Sequence, residues 1–132
     1  MKKIMLVNAV LLMTAVSSSA MAEWVRVHTN DKVTLYADPT TIRKKLYIVK
    51  IWSLFDYKAN NVLSDGNQYL SSMRETEFNC RDNLQRMIGY SIYSGKMGKG
   101  KLLDSGSEPQ DWKPVSKANI ALEMKNFACE RG

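Results

Sequence analysis

The sequence predicts an α+β domain: an antiparallel sheet of about six strands with one C-terminal helix packed on a face and tethered there by a disulfide. Three observations carry this. Period-two alternation dominates the first four-fifths of the exported part of the chain. A 3.6-period apolar stripe then appears only after Pro114. The chain holds two cysteines, one in a strand-like run (TEFNCRDNLQ, residues 76–85) and one, Cys129, at the end of the helical stripe. A sheet carrying one helical layer is a two-layer sandwich.

Ahead of that domain, Met1-Lys2-Lys3 gives a basic start, residues 4–16 are apolar apart from Asn8 and Thr14, and Ala20-Met21-Ala22 is an A-x-A cleavage signature. Basic, apolar and small residues in that order define a secretory signal peptide, here residues 1–22. Its apolar stretch is shorter than the roughly 20 residues that a membrane span requires. Residues 23–132 then form a single domain, since 132 − 22 = 110 residues support one modest core. No transmembrane segment is expected after cleavage.

Within the domain, Trp24–His28 and Lys32–Ala37 alternate about the turn Thr29-Asn30-Asp31 and read as a hairpin. Asp38-Pro39-Thr40-Thr41-Ile42 reads as a single helical turn, with Asp38 as N-cap and Pro39 at the first helical position. Leu46–Tyr57 (LYIVKIWSLFDY) is apolar on both faces, with Tyr47, Val49, Ile51 and Phe55 on one and Ile48, Trp52 and Leu54 on the other. Such a strand belongs mid-sheet. Asn60–Asn67 is a loop around Asp65-Gly66. Gln68–Cys80 is a long strand whose expected core face carries Leu70, Ser72, Arg74, Thr76, Phe78 and Cys80. Leu84–Ser94 follows, with Leu84, Ile88, Tyr90 and Ile92 in phase. After the glycine-rich Gly95–Gly100 comes a short return strand, Lys101–Asp104. Ser116 is then the expected N-cap of a helix over residues 117–128, with Ile120, Ala121, Met124, Phe127 and Ala128 as its apolar stripe.

Export puts both cysteines in an oxidising compartment, where a structural bridge is the expected state. A Cys80–Cys129 bond would staple the helix onto the face shared by Cys80 and Phe78. It would close a 50-residue loop, counted inclusively, and contribute about 4 kcal/mol on the chain-entropy account.

Catalytic patterns are sparse. His28 is the one histidine, placed at a strand end beside a turn, and reads as an ordinary edge residue. No zinc-type ligand cluster or phosphate-binding loop motif occurs, and no cofactor is expected. Glu75 and Glu77 share a strand face, the arrangement that paired carboxylates need for acid–base work; an envelope hydrolase built on them is the remotest alternative, behind a solvated sheet face. Trp24, Trp52 and Trp112 read as packing residues. Removing Lys2 and Lys3 leaves 17 basic against 13 acidic side chains, a net of +4. That balance is too mild to indicate nucleic acid. Two clusters remain as candidate partner-binding residues: Lys96, Lys99 and Lys101 in GKMGKGK, where glycine amides and cations suit phosphate or sulfate, and Arg43, Lys44 and Lys45.

EWVRV, TLYADPTTIRKK, VKIWSLFDYK, YLSSMRETEFNC, YSGKMGKG and the segment from DWKPV to Cys129 occur in the order seen in the bacterial surface-adhesin protein E family, which the chain resembles from Glu23 to Cys129. The resemblance implies an antiparallel sheet with a disulfide-tethered C-terminal helix and gives Cys80 and Cys129 the family's bridge positions. It further implies binding to host matrix or serum proteins and a capacity to form a homodimer. The family's adhesin is an outer-membrane lipoprotein, whereas no cysteine follows this signal peptide. A periplasmic or secreted protein is therefore expected. The function expected is a non-enzymatic, adhesin-like module binding host matrix or envelope proteins; the alternative is a periplasmic accessory or structural protein without a host partner.

Overall fold

A computed structural model describes residues 22–117 and 120–132; the predicted signal peptide, residues 1–21 of it, lies outside the described residues. Six strands pair antiparallel in chain order: β1 (Val25–Thr29), β2 (Val33–Lys45), β3 (Ile48–Val62), β4 (Gln68–Asn79), β5 (Leu84–Tyr93) and β6 (Leu102–Gly106). A two-residue strand, β7 (Lys113–Pro114), shares the outer edge of β5 with β6. Helix α1 (Ile120–Arg131) closes the chain. Every junction along the sheet path is a hairpin or a short excursion, as the alternating runs and turn residues demand.

β3 is central, between β2 and β4, and is apolar on both sides because α1 covers one face and residues Gly95–Gly100 part of the other. Its Val49 and Ile51 join Leu35 and Ala37 of β2 and Phe78 of β4 beneath Met124, Phe127 and Ala128 of α1. Cys80 and Cys129 are bonded, with their Cα atoms 6.0 Å apart. Cys80 occupies the first residue after β4, at the start of the turn into β5. Asn83 in that turn pins the approach to the helix, because its carbonyl accepts from the Val115 amide and its side chain donates to the Val115 carbonyl. Lys125 reaches back to the same asparagine, 2.7 Å from Nζ to Oδ1.

Four expectations are corrected. The helical turn at Asp38–Ile42 is instead part of β2, which advances five residues from Asp38 to Arg43 while β3 retreats two, from Trp52 to Lys50. Pro39 has no amide for the ladder. Asp38 does not cap a helix: its Oδ1 accepts from the Thr40 amide and hydroxyl, and Thr41 Oγ1 takes over the Trp52 amide. The chain therefore bulges without coiling. The second correction concerns β5, where Glu75 pairs with Gly89 but Thr76 with Met87, leaving Ile88 as the extra residue. A one-residue bulge inverts the alternation, so Gln85, Met87, Tyr90 and Ile92 share the helix side in place of Leu84 and Ile88. The third is that β3 extends to Val62, past the expected end at Tyr57. The last concerns α1, which continues to Arg131 and so contains Cys129. Residues 118 and 119, in its predicted first turn, lie outside the described residues.

Candidate binding surfaces

Because α1 crosses β1 to β4 near one end of the sheet, the rest of the helix-side face stays open as a cleft of about 770 Å³. Period two brings Phe55 and Tyr57 from β3, Ser72 and Arg74 from β4, and Tyr90 and Ile92 from β5 to its floor. Ile120 and Met124 of the helix form the wall at one end. The Arg74 guanidinium lies 4.1 Å above the centre of the Phe55 ring, and its Nη2 is 3.5 Å from the Tyr57 hydroxyl. Tyr57 and Tyr69 meet edge to face with ring centres 5.6 Å apart. At the β6 side, the Tyr90 hydroxyl donates to Asp104 Oδ2 over 3.1 Å. That bond stabilises the neutral phenol beside a carboxylate and pushes the Tyr90 pKa up.

The opposite face is partly covered by residues Gly95–Gly100. A short 3-10 turn at Lys96–Gly98 folds back over it: the Met97 amide donates to Asp56 Oδ1 and the Gly98 amide to Ser71 Oγ, each over 2.9 Å. Gly98 has φ +70° and lies close enough to Met73 that a Cβ there would stand 3.2 Å from Sδ. Lys96 is drawn in as well, with Nζ 2.9 Å from the Tyr57 carbonyl and 3.4 Å from Asp56 Oδ2. Its charge is thus paired, while Lys99 and Lys101 stay exposed.

The second basic cluster occupies the β2–β3 hairpin. Lys45 pairs with Ile48, whereas the Lys96 contact is at Asp56 on the same strand. Eight strand residues correspond to about 26 Å, so the two clusters form separate patches. Arg43 Nη1 folds onto the Thr40 and Ile42 carbonyls at 2.9 and 2.8 Å, and Lys44 Nζ is 3.3 Å from the Gly132 carbonyl. Lys45 is exposed, and beside it Leu46 is 79% exposed with φ +56°. Arg81, from the neighbouring turn, stacks 3.9 Å from the centre of the Tyr47 ring. Its hydrogen bond to Asp82 raises its own pKa and holds the Asp82 carboxyl below the usual range.

Glu75 and Glu77 lie on the face opposite the cleft, and Glu77 is held by Arg86 at 2.8 Å. His28 Nδ1 lies 2.7 Å from Glu123 Oε2, joining β1 to the helix. Trp112 packs under Arg86, 4.5 Å from guanidinium carbon to ring centre. Among the described residues no cluster of three or more His, Cys, Asp or Glu side chains is arranged to hold a metal, and no helix is long and apolar enough to cross a membrane. The cleft itself escaped the sequence reading. Its signal was Arg74, a charge in phase with Leu70, Phe78 and Cys80 on the face expected to be core.

The sequence model for surface-adhesin protein E matches residues 24–130. The chain belongs to that family. Solved structures of Haemophilus influenzae protein E have a similar fold. One, crystal form II, aligns with a TM-score of 0.64 at 12% identity over 81% of this chain and 87% of that one. Another, from non-typeable Haemophilus influenzae, gives 0.61 at 13% identity over 86% and 79%. At such identities the likeness to protein E is one of fold. No curated protein sequence matches the chain.

Proposed function

We propose that this member of the surface-adhesin protein E family is an exported, non-catalytic module that binds a protein, of the host matrix or of the envelope, through the β2–β3 hairpin tip. The observation that carries the reading is Leu46. A leucine at positive φ costs about 1 kcal/mol that glycine would avoid, and here the side chain is 79% exposed instead of packed. Local structure therefore gains little from leucine at this position. Flanked by Arg43, Lys44 and Lys45, with Arg81 and Tyr47 alongside, it has the composition of an apolar anchor within a cationic rim. Lys99 and Lys101, at the far end, act as a weaker electrostatic contact, and Lys96 serves the loop instead. Family membership supports the adhesin-like role. Export rests on the signal peptide pattern, which supports a periplasmic or secreted protein.

The test compares Leu46→Gly, Lys44→Ala/Lys45→Ala and Lys99→Ala/Lys101→Ala with the parent protein. Binding to immobilised matrix proteins and envelope extracts is measured alongside thermal unfolding. Leu46→Gly should unfold at an equal or higher temperature yet bind at least tenfold more weakly. Unchanged binding in Leu46→Gly and Lys44→Ala/Lys45→Ala would remove the tip from the account, and recovery solely from a periplasmic fraction would count against a host partner.

A further inference from the structure

Arg74 differs from the other ring-stacked arginines of the described residues. Arg81 has Asp82 as acceptor, Arg86 has Glu77, and Arg131, 3.7 Å from the centre of the Phe127 ring, has the Phe127 carbonyl, all at 3.3 Å or less. Arg74 has one hydroxyl at 3.5 Å, and among the described residues no carboxylate lies within 4.0 Å of it. Yet it lies half-buried on the cleft floor, held over Phe55. A guanidinium is planar, permanently charged and carries five donors in a fork that fits a carboxylate at two points. Fixed over an aromatic ring with most donors unused, it is pre-organised for an anion that arrives from outside.

The surroundings define the body of that anion. From Arg74 the floor runs along β4 past Thr76 to Phe78, four residues or about 13 Å, with Met87 of β5 alongside and Ile120 and Met124 of α1 at the end. Thr76, Gln85, Gln110 and Lys113 also line this stretch, but its two thioethers, Met87 and Met124, adapt to an unbranched chain better than rigid side chains would. The cleft volume of about 770 Å³ falls in the range of single small-molecule sites. Arg74 and Lys113 outnumber the single lining carboxylate, Asp104, which is engaged by Tyr90. The charge of the cleft therefore favours an acid over an amine.

We propose that the cleft is a binding site for one amphipathic monocarboxylate, a medium-chain fatty acid in class. Its carboxylate is clamped by Arg74, and its alkyl chain lies between Met87 and the Ile120–Met124 face of the helix. This site is separate from the hairpin tip and does not depend on the protein-binding reading.

The test is calorimetric titration of the purified, disulfide-intact protein with decanoate, hexanoate and decyltrimethylammonium, together with methyl NMR of the methionines. Decanoate should bind saturably at one site, with hexanoate and the ammonium analogue at least tenfold weaker. Met87 and Met124 methyl signals should shift, and that of Met97 on the other face should not. Arg74→Met, which keeps bulk over Phe55 without the charge, should lose at least tenfold in affinity while its thermal unfolding stays close to the parent. Arg74→Lys should recover part of the loss. Equal binding of acid and ammonium, an unaffected Arg74→Met variant, or no saturable decanoate binding would each overturn the proposal. So would a peptide with an acidic residue beside an aromatic one that occupied the cleft where decanoate failed, since it would assign the cleft to a protein segment.

Discussion

Replacing both cysteines with serine should cost this domain about 4 kcal/mol. The bond joins residues 49 apart in sequence, closing a loop of 50 counted inclusively. On the chain-entropy account such a loop removes about 14 cal/mol/K from the unfolded ensemble, or roughly 4 kcal/mol at 25 °C. That is a large share of the roughly 5–15 kcal/mol expected in total. The helix it holds has 12 residues, marginal on its own in water, and without the bond it remains docked chiefly through buried Met124, Phe127 and Ala128, with the Glu123 and Lys125 contacts to His28 and Asn83 beside them. With a urea m-value of about 1.5 kcal/mol/M, the midpoint should fall by roughly 2–3 M. Equilibrium unfolding followed by tryptophan fluorescence and far-ultraviolet circular dichroism measures this. The parent under reducing conditions serves as the control for any effect of serine itself. A loss below about 1 kcal/mol at unchanged m, in both the variant and the reduced parent, would refute the claim that the bond acts by restricting the unfolded chain.

Two further outcomes are expected. Gly98→Ala should destabilise by about 1–2 kcal/mol, since φ is +70° and the added methyl presses on Met73; chemical denaturation reads the loss, and a neutral result would mean that the loop does not pack on the sheet. Tyr90, whose pKa is raised first by its hydrogen bond to Asp104, should ionise later than an ordinary phenol. Because the folded pKa lies above the unfolded one, the stabilisation is complete below the usual tyrosine pKa and is lost as pH rises through the folded value. In a near-ultraviolet absorbance titration, Asp104→Asn should move this phenol to lower pH and Tyr90→Phe should delete it.

Much of the architecture could be read from the chain because it is locally encoded. Alternation between turn signals places β1 to β6, the double-faced run Val49–Leu54 marks the central strand, and the Met124–Phe127–Ala128 stripe marks the docked helix. The bulges were not legible, since an extra residue at Ile88 exists only relative to a partner strand, and alternation within one strand cannot show it. Asp38-Pro39 carries helix-start chemistry, yet Asp38 serves its own bulge, a choice made by pairing with β3. The glycine-rich segment looked like a free basic loop. Its amides are taken by Asp56 and Ser71, 41 and 27 residues away in sequence. Arg74 was visible in phase with the core, but only the incomplete reach of α1 turns that position into an open floor.

The chain-order sheet also bears on how the molecule matures. Each of β2 to β6 meets the strand that precedes it in the chain, so hairpins can accumulate before synthesis is finished. The sulfur at position 80 must wait, because its mate follows 49 residues later. Oxidation therefore reports completion: a chain cut short between positions 80 and 129 would keep a bare thiol, open to thiol-disulfide exchange and proteolysis, while one that reaches position 129 seals itself as that segment lands.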